Sequence, residues 1–346
     1  MTGILLAATL SLSIAGEVAL PQAGPGGQIR GLSGITRVAD DSYYAVRDSN
    51  GLLYSLMVGV DRTTGAPTNC VISGLSRLQG RGDLECVVWD SACHCVWTAD
   101  EDDGTIRAFH PVAGTELRQV AIPPGFDAFR YNFSFESLAL HPNGLEMWTC
   151  NEEALCRREA VGRVRKKAAP VKAGTPDVDD GPRSTREHGS RIRLQRFTRA
   201  TPKDDWRPAG QWMYETDRVG GANFAGKSRS GVSDLLCLED GTLFALEREM
   251  SIKKGFMPSF RCRIYQLDLT GADDVSQIAS LKDSSVRPIS KIRVFGAGTG
   301  LAMYEGICLG PKLTDGSRSV LLISDGDDGA ANRILGLRLT RGGVRE

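Results

Sequence analysis

The sequence predicts an all-β protein, a single β-propeller of five blades by direct count, and three observations carry that expectation. One strand–turn–strand unit recurs five times: LSGITRVADDSYYAVRDSN from Leu32, LECVVWDSACHCVWTADED from Leu84, FESLALHPNGLEMWTCNEE from Phe135, VSDLLCLEDGTLFALERE from Val232 and YEGICLGPKLTDGSRSVLLISDGD from Tyr304. The apolar runs are short and rich in β-formers, and the 40 glycines among 346 residues supply many tight turns. After each of the first four hairpins come two further strand-like runs, which would complete a four-stranded blade.

Taken in order, the chain opens with MTGILLAATLSLSIAG, residues 1–16, a short apolar run with Ser13 and Ala15 placed as a signal peptidase requires. It is too short to span a bilayer and lacks a basic start, so a buried N-terminal strand stands as the other reading. Export would make the protein secreted or periplasmic; the cytoplasm is the alternative. Residues 17–346 form the propeller domain. The strand-like pairs after the hairpins are LLYSLMVGV and NCVISGL, TIRAFHPV and LRQVAIP, RIRLQRFT and GQWMYETD, and RCRIYQLDL and SKIRVFGAG. The fifth unit has only RILGLRL before the chain ends, so EVALP, Glu17 to Pro21, is expected to return as the missing outer strand and remove an open sheet edge.

The anchors Ser33, Glu85, Glu136, Asp234 and Glu305 are separated by 52, 51, 98 and 71 residues. The longest gap holds an insertion at about 154–190, polar and proline-bearing without a period, which reads as a disordered surface loop. Its basic cluster, Arg163, Arg165, Lys166 and Lys167, reads as solvated, with phosphate binding as the alternative. The 71-residue interval leaves room for a degenerate sixth blade.

Lys plus Arg and Asp plus Glu both number 42, so no global charge argues for nucleic acid or an anionic membrane, and any electrostatic function must be local. Nothing calls for partner chains, and a monomer is expected. The nine cysteines show no CxxC pair or zinc spacing, so packing is their expected role, although Cys150 and Cys156 are near enough in sequence to pair in an oxidising compartment. The four histidines form no Ser-His-Asp or Cys-His pattern.

In a propeller the start of each innermost strand and the end of the next share one mouth of the channel. Both places carry oxygen ligands: Glu85, Glu136, Asp234 and Glu305 at the starts, and Arg47-Asp48, Asp100-Glu101, Asn151-Glu152, Glu247-Arg248 and Ser324-Asp325 at the hairpin ends. Three units share a fifteen-residue offset, 33 to 48, 85 to 100 and 136 to 151. Crowded carboxylates must be protonated, paired with Arg or bound to a hard cation, and an oxygen set without His or Cys suits Ca2+ better than zinc. Glu85, Glu136, Asp234, Glu305 and Asp325, the last in the turn SDGDDGA, are the expected metal ligands, unless each acid merely caps backbone donors at its own rim. Arg47 and Arg248 would neutralise the ring or hold an anionic substrate group.

LSGI, MWTCNEEAL, TLFALERE, RIYQLDL, YEGICLGP and LLISDGDDG together resemble the phytase-like family described as having esterase-like activity of phytase, over Gly31 to Leu339 outside the insertion. The resemblance implies a β-propeller, exported in bacteria, with phosphoester or ester hydrolase activity on a small molecule. The β-propeller phytases, six-bladed and only distantly similar, use calcium and acidic residues. Carried over, Glu85, Glu136, Asp234 and Glu305 would hold cations against the substrate, Glu85 and Glu136 being catalytic, while Arg47 and Arg248 offset charge on the leaving group. Two alternatives stand beside this: a noncatalytic ligand- or protein-binding propeller, and a lactone or sugar-ester hydrolase with one central metal.

Overall fold

The structure, a computed structural model, describes residues 10–341 except 81, 131–132, 158–176, 257, 301 and 327–330, and the side chain of Asp127. Strand β1 (Leu10–Ala19) and a small hairpin, β2 (Ala23–Gly24) with β3 (Gly27–Gln28), precede five four-stranded antiparallel sheets. Blade one is β4 (Leu32–Ala39), β5 (Ser42–Arg47), β6 (Leu52–Val60) and β7 (Pro67–Arg77), from axis to rim. Blade two is β8 (Leu84–Asp90), β9 (Cys95–Asp100), β10 (Thr105–Phe109) and β11 (Glu116–Gln119). Blade three is β12 (Ala139–Leu140), β13 (Glu146–Cys150), β14 (Arg191–Thr198) and β15 (Arg207–Glu215). Blade four is β16 (Arg229–Cys237), β17 (Leu243–Ile252), β18 (Pro258–Asp268) and β19 (Ser290–Gly300). Blade five is β20 (Met303–Lys312), β21 (Arg318–Asp325) and β22 (Arg333–Arg341), completed by β1.

No sixth blade fills the interval after Asp234. The chain between β18 and β19 instead folds back on blade three, burying Val275 and Leu281 against Met213. The closing strand is longer than Glu17 to Pro21. It runs antiparallel to β22 from Leu10 opposite Arg341 to Ala19 opposite Arg333, so the boundary expected at residue 16 falls inside a paired strand. Leu10 and Leu12 on that strand are buried with Leu337 and Leu339, which is why an apolar sequence is needed there.

The described ends of the stretch 154–190 are tied into the fold. Asp180 receives a bidentate hydrogen bond from Arg193, at 2.6 and 2.7 Å, with both side chains buried. Arg130 donates to the carbonyls of Ala154 and Gly181 at 2.7 and 2.9 Å, fixing both ends of the excursion. Arg163, Arg165, Lys166 and Lys167 lie outside the described residues.

Blades pack through apolar faces joined by a few buried ion pairs. Arg199 meets Asp90 at 2.6 Å with neither side chain exposed, and the Trp97 indole donates to the same carboxylate, tying blade two to blade three. All nine cysteines are free, Cys150 and Cys156 included, and eight of them are buried. Among the described residues no helix is long and apolar enough to cross a membrane.

Candidate active site at the propeller mouth

The five inner hairpins share one irregularity that builds the site. In each, the register slips by one residue close to the start of the inner strand: between Leu32 and Gly34, Leu84 and Cys86, Val232 and Asp234, and Tyr304 and Gly306. Blade three does the same between the Phe135–Asn151 bridge and the Ala139–Trp148 pair. A bulge of this kind re-aims a side chain out of the pleat. The residues at the slip are Ser33, Glu85, Glu136, Ser233 and Glu305. Facing them are the residues that follow Arg47, Asp100, Asn151, Glu247 and Ser324, the partners of Leu32, Leu84, Phe135, Val232 and Tyr304: Asp48, Glu101, Glu152, Arg248 and Asp325.

These ten positions carry seven carboxylates and one guanidinium, and the registers explain where the sequence reading slipped. In blade four the bulged residue is Ser233, so Asp234 falls one place later, level with Gly34, Cys86, Ser137 and Gly306. Its carboxylate is taken up by backbone amides, from Leu235 at 2.9 Å, Ile307 at 2.8 Å and Leu138 at 3.4 Å. Asp234, expected as a ligand, is thus a tie between the inner strands of blades three, four and five. At this level the strands also close on one another: a Cβ at Gly34 would lie 2.8 Å from Cα of Cys86, and one at Gly306 2.9 Å from Cα of Gly34. The mouth is therefore a cup with a floor.

The fifteen-residue offset also misaligned one unit. The first hairpin turns through only Asp40 and Asp41, between Ala39 and Ser42, where blade two has four residues between Asp90 and Cys95, so that Asp48 matches Glu101 and Glu152 and not Asp100 and Asn151. Arg47 accordingly shares the position of Glu247, whose carboxylate is engaged away from the mouth by the Tyr214 hydroxyl at 2.6 Å and by Lys291. Arg47 approaches Asp48 at 3.9 Å, and its buried Nε has no hydrogen-bond partner among the described residues. The structure does not bring it to the acids that surround Arg248.

Arg248 does reach the centre. It donates to Glu305, to Glu152 at 2.6 Å, and lies 3.9 Å from Glu136, bridging carboxylates of two other blades. The remaining acids gather beside it in two groups that share Glu101: Asp83, Glu85 and Glu101, and Glu101, Glu136 and Glu152, each offering oxygens within 4.8 Å of one another. Asp83, on the approach to β8, has no counterpart in the repeat and gave no signal in sequence. Glu101 and Glu152 did have one, as the second residues of the hairpin-end pairs. The charges of Asp325 and Asp48 also act on Glu305.

Burial and mutual repulsion shape the protonation of this cup. Burial first, then Glu101, Asp83 and Glu305, push Glu85 well above the ordinary carboxylate range, and Asp83 shares a hydrogen bond with it. Burial and the neighbouring Glu152 raise Glu101 to about 8. Glu136 is raised by burial and by Glu152, Glu85 and Glu101, and Glu305, despite Arg248, is raised by burial to about 8. One guanidinium does not neutralise so many acids. The donor set is entirely carboxylate oxygen with no imidazole or thiol at the ten positions, which fits a hard cation of calcium type and does not fit zinc.

Comparison with known proteins bears on this geometry. The family model for phytase-like proteins, described as esterase-like activity of phytase, matches residues 27–328. Similar solved structures include the PQQ-bound form of an aldose sugar dehydrogenase from Streptomyces coelicolor, 13% identical, covering 96% of this chain and 99% of that one with a TM-score of 0.40. The WD40 domain of Toxoplasma gondii coronin is 11% identical over 92% of this chain and 71% of that one, with a TM-score of 0.36. A member of the duf4221 family from Bacteroides vulgatus is 8% identical over 96% and 99%, with a TM-score of 0.40. A search of curated proteins gives no match. The family match spans most of the chain and all five inner hairpins up to the end of the last, and on that ground this five-bladed propeller belongs to the phytase-like family.

Proposed function

We propose that the mouth binds a divalent cation, calcium by its donor chemistry, and hydrolyses an ester or phosphoester of a small molecule there. The observation that carries this reading is the pair of three-carboxylate groups sharing Glu101 beside a single arginine, Arg248. Glu85, Glu101, Glu136 and Glu152, with Asp83, would hold the cation. A bound cation would supply charge neutralisation and Lewis acidity toward an ester or phosphoester oxygen. Arg248 presents a guanidinium to the same space, fixed by Glu152 and Glu305, where it orients an anionic substrate group. Burial and Glu152 raise Glu101 while no cation is present, and a bound cation would draw that proton off, so that Glu101 would serve as a ligand in its ionised form. Phosphate esters, carboxylic esters and lactones should be assayed with calcium and with chelator. Hydrolysis of one class that vanishes with chelator, returns with calcium and is lost in Glu101→Gln supports the proposal. Cation binding without turnover of any class would leave a binding propeller in its place.

A further inference from the structure

A second polar site lies away from the mouth, on the outer strands of blade four. A cleft of about 810 Å³ opens between β18 and β19 of that blade and the closing strand β1 of blade five. Four arginines line it: Arg218 from the connection between blades three and four, Arg261 and Arg263 from β18, and Arg293 from β19. The opposite wall is apolar, with Leu12 and Ile14 of β1, and Ile14 is 61% exposed.

The charges do not cancel. Arg263 binds Glu249, whose oxygens also accept from the Gly220 and Gly221 amides at 3.2 and 2.8 Å; Arg261 reaches Glu249 at 3.6 Å. Asp217 approaches Arg263 at 3.9 Å but is met by Lys291 at 3.0 Å and by the Tyr265 hydroxyl. Lys291 is in turn shared with Glu247. Four arginines thus face two carboxylates, leaving a surplus of about two positive charges in one cleft. Arg263 is itself only 5% exposed, so it acts on the cleft through its charge from beneath.

We infer that this cleft is a binding site for a phosphate-class oxyanion, held by Arg218, Arg261 and Arg293 at the rim, with Arg263 adding its charge from beneath. A dianion matches the surplus charge, and guanidinium forks match its oxygens. Because Leu12 and Ile14 form the facing wall, the ligand would also join blade four to the strand that closes the propeller. This site does not depend on the mouth binding a cation.

The test titrates the full chain with inorganic phosphate and pyrophosphate by calorimetry at low salt, in chelator, so that no cation-bridged binding at the mouth contributes. Saturable binding and a rise in Tm with ligand are expected. The double change R218E/R293E alters two exposed side chains and should keep the wild-type circular dichroism while weakening binding at least about ten-fold. Three results would overturn the inference: no saturation of the wild type up to about 10 mM, unchanged affinity in folded R218E/R293E, or tighter binding of succinate than of phosphate.

Discussion

Replacing Arg248 with methionine removes the one cation among the acids of the mouth while keeping much of its apolar stem. At an effective dielectric near 20, a charge pair at the 2.6 Å of Arg248 and Glu152 is worth about 6 kcal/mol, and one at the 3.9 Å to Glu136 about 4 kcal/mol, before desolvation is subtracted. Side-chain exposures of 18% for Arg248 and 5% for Glu152 mean that water does not replace the lost partner. Removing one member of such a buried group typically leaves a net loss of about 3–5 kcal/mol. The carboxylates can escape this by taking up protons, so the loss must depend on pH. Urea unfolding of R248M in chelator should show about 3–5 kcal/mol less stability than wild type at pH 8 and a clearly smaller deficit at pH 5. Calcium should restore part of the deficit at pH 8. A loss under about 1 kcal/mol, the range of an exposed ion pair, or one that is equal at both pH values, would refute the electrostatic reading of the cup.

Three further outcomes follow from the same geometry. Glu101 and Glu305, each raised from 4.5 to about 8, favour the folded protein most when protonated, below pH 4.5, and that contribution is lost as pH rises through 8; chelated protein should lose stability across pH 5.5–8, by about 1.4 kcal/mol per unit for one such group, and calcium should flatten the slope. Stability that rises over this window in chelator would contradict it. Asp234→Ala strands three buried amides and should cost at least about 2–3 kcal/mol in denaturant unfolding without changing calcium stoichiometry; a lost calcium with little destabilisation would make Asp234 a ligand after all. Truncation before Glu17 strips Leu10 and Leu12 from the closing strand, each burial worth about 1.5–3 kcal/mol, so a lower melting temperature and faster amide exchange in β22 are expected, and an unchanged melting temperature would show that β1 does not close the blade.

The sequence was legible wherever information was local and repeated. The five hairpins, the outer strands such as RILGLRL and the crowding of acids at one mouth all follow from strand-length runs and turn residues. What failed were one-residue matters. A β-bulge leaves no mark in composition, so Asp234 was aligned with Glu85 when Ser233 holds that place. A shortened first hairpin moved Arg47 out of the mouth and Asp48 into it. Glu101 and Glu152 stood in the right pairs, but a strand reverses face at every residue, and only the register says which member looks inward. Long-range ties were hidden for another reason: nothing near Asp180 in sequence announces Arg193, and the apolar run of residues 1–16, open to reading as a buried strand or an export signal, does not say which.

Calcium binding to the chelator-stripped protein, measured by calorimetry for wild type and Glu101→Gln side by side, tests the central claim most directly, since Glu101 belongs to both carboxylate groups. Saturable calcium binding in the wild type that is abolished or weakened at least about ten-fold in E101Q, with the fold intact, is the predicted result. No calcium binding by the wild type, or equal binding by the two proteins, would contradict a cation site at the propeller mouth.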